Sequence, residues 1–95
     1  QWGMIRSFRH KGLKQFFLAG SPRGIQPAHA ERLRLILNHL DTAAKVEDVN
    51  FPGSDLHPLK GDRKGQWAVK VSGNWRVIFR FEGDHAYEVD YDDYH

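Results

Sequence analysis

Trp67-Ala68-Val69-Lys70-Val71-Ser72-Gly73-Asn74-Trp75-Arg76-Val77-Ile78-Phe79-Arg80-Phe81 is the stretch that decides the fold. Trp67, Val69 and Val71 alternate with smaller or charged residues, and Trp75, Val77, Phe79 and Phe81 repeat the pattern beyond Ser72-Gly73-Asn74. Period-two alternation on both sides of a Gly-Asn turn predicts a β-hairpin. Tyr87, Val89 and Tyr91 form a third run after a second turn at Gly83-Asp84, which extends the hairpin to a three-stranded meander. A two-residue turn at Gly73-Asn74 would set Val71 opposite Arg76 and mix charge into both faces. A three-residue loop pairs Val71 with Trp75 and collects Trp67, Val69, Val71, Trp75, Val77 and Phe79 on one face. The second register needs only one apolar face, and it leaves Lys70, Arg76, Ile78 and Arg80 on the other.

The apolar face needs a cover, and the N-terminal half supplies it. Ile5 to Arg9 reads as a short strand, and Leu13, Phe16 and Phe17 fall at i, i+3 and i+4 on a short helix stopped by Gly20-Ser21-Pro22. A second helix opens with Pro27, has Glu31 in its first turn and carries Leu33, Ile36, Leu37, Leu40 and Ala44 as its apolar stripe. Arg32, Arg34, Asn38 and Asp41 make its wet side. Between Val46 and Gly65 periodicity disappears and Pro52, Gly53, Pro58, Gly61 and Gly65 punctuate the chain. An irregular stretch of that length in a small domain is usually functional or disordered. Leu56 and Leu59 are placed to pin it to the core. The fold class is therefore α+β, two N-terminal helices packed on a mainly antiparallel sheet.

Ninety-five residues, 40% of them hydrophobic, suffice for one core and not for two. There is no cysteine, which excludes disulfide scaffolds, thiolate zinc sites and cysteine nucleophiles together. No apolar run approaches a membrane span, which with the missing cysteine fits a cytoplasmic protein. Gln1-Trp2-Gly3 read as a cloning remnant before a native start at Met4, with residues 4–95 as a single domain. A formal charge of +2 permits an acidic partner without demanding one. Arginines and lysines recur from Arg6 to Lys70, while Glu88-Val89-Asp90-Tyr91-Asp92-Asp93 is acidic.

Lys70, Arg76 and Arg80 make a phosphate-sized basic patch on the open face, although strand lysines and arginines also serve solubility. None of the six histidines has the tight spacing to another ligand that a metal centre needs, so no cofactor is expected. Phosphate-binding glycine loops, nucleophile elbows and dinucleotide fingerprints are missing as well. What remains is His57 and Lys60 in the central stretch and Asp93-Tyr94-His95 at the end. Cleaving RNA without a metal takes a base for the 2′-hydroxyl, cations for the crowded phosphorane and an acid for the departing 5′-oxygen. Histidine, tyrosine, lysine and arginine supply all three.

Leu56-His57-Pro58-Leu59-Lys60-Gly61-Asp62-Arg63, then Asn74-Trp75-Arg76-Val77-Ile78-Phe79, then the closing Asp93-Tyr94-His95, resembles in order and spacing the HigB toxins, a plasmid-maintenance killer family of the RelE superfamily. The resemblance covers nearly all of residues 4–95. It implies a RelE-like fold and metal-independent cleavage of messenger RNA in the decoding site of the 70S ribosome. Carried over by position, it implies Lys60, Arg76, Asp93, Tyr94 and His95 as catalytic residues and His57, Lys70 and Arg80 as RNA contacts. It also implies a helix-turn-helix antitoxin of the HigA type as partner, operator DNA being reached only through that antitoxin, and no membrane. Pro58 and the doubled acid Asp92-Asp93 depart from the family pattern. Two other functions stay open on the residues alone: a ParE-like toxin that inhibits gyrase and cleaves nothing, and a plain nucleic-acid-binding module.

Overall fold

A computed structural model describes residues 4–93, so Tyr94 and His95 lie outside the described residues. Helix α1 spans Lys11–Ala19 and α2 spans Ala30–Thr42, and strands β1 (His57–Pro58), β2 (Gln66–Ser72), β3 (Trp75–Glu82) and β4 (His85–Asp93) form one antiparallel sheet in the order β1-β2-β3-β4. The N-terminal segment touches the free edge of β4 through two parallel bridges, Ile5 with Ala86 and Phe8 with Val89. These make the arrangement mixed, as expected, although the segment never becomes a full strand. Among the described residues no helix is long and apolar enough to cross a membrane.

The helices begin and end where side chains satisfy their free backbone groups. His10 accepts from the Leu13 N–H at 2.9 Å and so caps α1, while Gly20, at φ 74, closes its last turn by donating to the Phe16 carbonyl. Pro27 opens a 3-10 turn over Pro27–His29 that leads into α2. Leu33, Ile36, Leu37 and Leu40 are buried as the stripe requires, each worth about 1.5–3 kcal/mol of burial. Their last companion is Ala43 and not Ala44, because the helix ends at Thr42 and the extended backbone at Ala43 rotates Ala44 outward. Between α1 and the loop before α2, Gly12 and Gly24 meet backbone to backbone. A Cβ on Gly24 would stand 2.5 Å from the Gly12 Cα, so neither position has room for a side chain.

The helix side of the sheet buries Val69, Val71, Val77, Phe79, Ala86, Val89 and Tyr91, with Trp67, Trp75 and Phe81 packed against them. The faces are those read from the alternation, but two registers differ. Ser72 pairs with Trp75 across a two-residue turn, and the bulge between Lys70 and Ser72 absorbs Val71, which keeps Lys70 opposite Arg76 and both faces consistent. In β4 a second irregularity sits at Glu88, whose φ of 53 shifts the phase. As a result Ala86, not Tyr87, joins Val89 and Tyr91 in the core, and Tyr87 faces the other way beside Arg80.

The segment between Val46 and Gly65 is more ordered than its composition suggests. It contains 3-10 turns at Val46–Val49 and Gly61–Arg63 and the short strand β1. Leu56 packs on the main core and Leu59 crosses to the opposite face, where it forms a second small cluster with Ala68 and Ile78. Arg32, assigned above to the wet side of α2, is a clamp instead: its guanidinium donates to the Gly53 carbonyl at 2.6 Å and to the Lys70 carbonyl at 3.2 Å. Asp41 likewise accepts from the Ile5 N–H at 3.3 Å.

Candidate active site

The open face of the sheet presents its residues in rows, because directly paired residues of antiparallel strands share a face. One row runs Lys70, Arg76, Asp92 and the next runs His57, Ala68, Ile78, Asp90. A third sets Gln66 beside Arg80 and Tyr87. Lys70 and Arg76 are thus neighbours across two strands. His57 stands two strands from Ile78 and one row from Arg76, roughly 12 Å between Cα atoms from ordinary strand spacing and rise.

Arg76 is held at the β2–β3 turn. Its Nη1 donates to the carbonyls of Gly73 at 2.7 Å and Trp75 at 3.0 Å, while its buried Nε has no hydrogen-bond partner among the described residues. An orphaned buried donor costs about 1–3 kcal/mol. Such a cost is the kind that persists at functional sites. His57 has its Nδ1 2.8 Å from the Asp55 carbonyl. A carbonyl only accepts, so Nδ1 carries a proton in this contact, and in the neutral form of the ring Nε2 is then the acceptor. Asp55 supports that geometry with a left-handed backbone at φ 50. Lys60 is exposed and begins the 3-10 turn whose Arg63 N–H bonds back to its carbonyl at 3.2 Å.

Arg80 is not a free cation. Its Nε is 3.2 Å from Glu88 Oε1, and its guanidinium lies against Gly65, where a Cβ would approach Nη1 to 2.9 Å. Arg63 reaches over the face to Asp92 at 3.7 Å, a half-exposed and therefore weak pair. The open face is accordingly a mixture of charges, not a basic front, because β4 brings Asp90 and Asp92 beside Ile78 and Arg76. The alternation of Asp90 and Asp92 with Val89 and Tyr91 carried that information in the sequence.

Asp93 pairs in register with Trp75, at the same end of the sheet as Arg76. By alternation it belongs to the helix side of β4, with Tyr91, and so not to the row of Lys70 and Arg76. Tyr91 anchors this end of the strand. Its ring packs 4.7 Å from Trp75 and 5.3 Å from His10, and its hydroxyl is 2.6 Å from His29 Nδ1 and accepts from the Gln26 N–H at 3.3 Å. Burial pushes the Tyr91 phenol above its ordinary value of 10.0, against a smaller opposing pull from the Gln26 hydrogen bond. Two histidines thus serve a cap and an aromatic cluster. Among the described residues no three His, Cys, Asp or Glu side chains gather in metal-binding geometry.

A concave pocket of about 280 Å³ lies beside this site on the same face, lined by Arg9, Asp62, Arg63, Gln66, Ile78, Arg80, Glu88 and Asp90. Apart from Arg80 these residues were not picked out from the sequence. Gln66 in particular gives no signal there, since a polar residue at the start of a strand is ordinarily exposed.

A family model described as the RelE-like toxin of the type II toxin–antitoxin system HigB matches residues 6–95. The endoribonuclease HigB of Proteus vulgaris is 44% identical over 92 residues, which is 97% of this chain and 100% of that protein. A toxin of a type II system has an antitoxin as its partner. The two helices on an antiparallel sheet, together with a match that spans nearly the whole sequence, place this chain in the HigB-like family of RelE-like toxins.

Proposed function

We propose that this chain is a ribosome-dependent endoribonuclease that cuts messenger RNA in the decoding site of the 70S ribosome and thereby stops translation in the bacterial cytoplasm. The observation that carries this reading is the 44% identity, over its full length, with a protein that is an endoribonuclease. In the reaction the 2′-oxygen of one nucleotide attacks the adjacent phosphorus and loses its proton to a base. The P–O5′ bond breaks and the 5′-oxygen takes up a proton, leaving a 2′,3′-cyclic phosphate and a 5′-hydroxyl. The step needs no water, oxidant or reductant.

Arg76, with Lys70 beside it in register, is set to hold the phosphate and the charge that builds on it. Lys60 adds a second cation from the loop. The acceptor Nε2 of His57 suits a hydroxyl proton, and Asp93, Tyr94 and His95 complete the set proposed from the sequence. Arg80 holds RNA only through the face that its pair with Glu88 leaves open. The partner is a helix-turn-helix antitoxin of the HigA type, through which the complex reaches its operator DNA.

The test is to add the purified protein to a translating extract, to free messenger RNA, and to a gyrase supercoiling assay. Cleavage in the extract only, with 5′-hydroxyl ends, supports the proposal. Supercoiling inhibition without cuts would replace it with the gyrase-toxin reading, and cuts in free RNA would remove the ribosome from it.

A further inference from the structure

The pocket beside Arg80 has a chemistry that the cleavage reaction does not use. Three arginines in its wall, Arg9, Arg63 and Arg80, face three carboxylates, Asp62, Glu88 and Asp90. Such a wall offers no net attraction to a phosphate. At its floor is Gln66, only 9% exposed, and neither end of its amide makes a hydrogen bond among the described residues. Among the described residues the buried side-chain atom without a partner is Arg76 Nε, so the Gln66 amide opens into the pocket, where it offers both a donor and an acceptor.

Ile78, buried against Leu59 and Ala68, backs the same floor, and the lining is otherwise polar. The guanidinium of Arg80 is tethered by Glu88 and lies where a Cβ on Gly65 would meet it, so its plane borders the pocket. A guanidinium plane with donors and acceptors side by side can receive an unstacked base of single-stranded RNA, by stacking and through its edge. The position fits as well. Gln66 lies four residues along β2 from Lys70, about 13 Å at the usual rise per residue, which exceeds a single nucleotide step from the phosphate held at Arg76.

We infer that this pocket receives a base of the message near, but not at, the cut, and that Gln66 reads it, making Gln66 a determinant of cleavage-site preference. The inference rests on the endoribonuclease reading above. Both are addressed by mapping the 5′ ends produced in a translating extract by the wild type and by Gln66→Met, which keeps the side chain's shape and removes its donor and acceptor.

The wild type should show a base preference at one position near the cut. In Gln66→Met that preference should fall at least fivefold while total cleavage stays within about threefold. Should Gln66→Met not fold, as judged by a thermal melt, Gln66→Glu decides by the same position, because it removes the donor and should exchange one favoured base for another. Absence of any cuts by the wild type would defeat the enzymatic reading itself. A flat wild-type profile, or an identical profile in the variant, would overturn the pocket assignment alone. An identical profile combined with weaker antitoxin binding would give the pocket to the antitoxin instead.

Discussion

Replacing Arg76 by alanine separates the cost of holding the proposed catalytic cation from its use. Two hydrogen bonds from Nη1 to the Gly73 and Trp75 carbonyls are lost, each worth about 0.5–1.5 kcal/mol net, and the buried Nε that now goes unpaired, at about 1–3 kcal/mol, is lost with them. These contributions oppose one another and leave a stability change of about 2 kcal/mol or less in either direction. For a domain of this size that is a shift in melting temperature of no more than about 8–16 °C.

Activity has no such compensation. A preorganised donor aimed at developing charge contributes about 2.7–4 kcal/mol to a transition state, so cleavage should fall by roughly 10²–10³-fold. Arg76→Lys should recover only a small part, because the ammonium keeps the charge but not the planar fork. The assay is the single-turnover rate on ribosomes programmed with one message, paired with a thermal melt of each variant. A wild-type rate in Arg76→Ala would remove the residue from the site. A melting drop well beyond about 16 °C would show that the guanidinium is a structural post.

Gly65→Ala forces a side chain onto a backbone at φ 97 and into contact with the Arg80 guanidinium, so it should lower stability by about 1–3 kcal/mol, measurable by urea unfolding. Tyr91→Phe loses the hydroxyl's bonds to His29 and Gln26 and should cost about 1–2 kcal/mol at neutral pH. The folded phenol titrates above 10.0, so above that pH the native state holds more protons than the unfolded one and stability falls as pH rises until the folded value is passed. A pH series of unfolding curves should show this component of the alkaline fall in the wild type and lose it in Tyr91→Phe. Deleting Tyr94 and His95 should abolish cleavage yet leave the melt nearly unchanged, since the last core residue of β4 is Tyr91. Wild-type cutting by the shortened chain would dismiss the terminal residues from the reaction.

The hairpin of β2 and β3 was legible because alternation records the face of every residue, so Lys70, Arg76 and Arg80 could be set opposite Val69, Val77 and Phe79 before any coordinates. Loop length was not legible. Val71 shows that a turn shorter by one residue and a strand with one residue bulged produce the same faces. Glu88 is a harder case, because a glutamate carries no sign of a left-handed backbone, and the resulting phase shift exchanges Tyr87 for Ala86 in the core. Nor did Arg32 announce its bonds to the Gly53 and Lys70 carbonyls, which depend on a loop whose path has no periodicity. The roles expected of His57, Lys60 and Arg76 came from the family resemblance, carried over by position. Gln66 could come only from the depth at which the loop over Leu59 buries it.

The carboxylates of β4 change what the open face can do on its own. Affinity for free nucleic acid comes mostly from counterions released as cations meet phosphates, and each cation already paired with a carboxylate releases fewer. Arg80 is paired with Glu88 and Arg63 with Asp92, which leaves Lys60, Lys70 and Arg76 as the side chains most available for phosphates. A toxin built this way should bind unstructured RNA weakly and with a shallow dependence on salt. Cleavage then requires something else to supply the binding energy and to hold the message extended. On the proposed function a ribosome does both, presenting a few nucleotides in fixed geometry to a surface too balanced in charge to collect them itself. The same balance protects the enzyme's choice of site, since a strongly basic face would hold any phosphate in any register, whereas this one leaves room for base contacts to decide where the strand is cut.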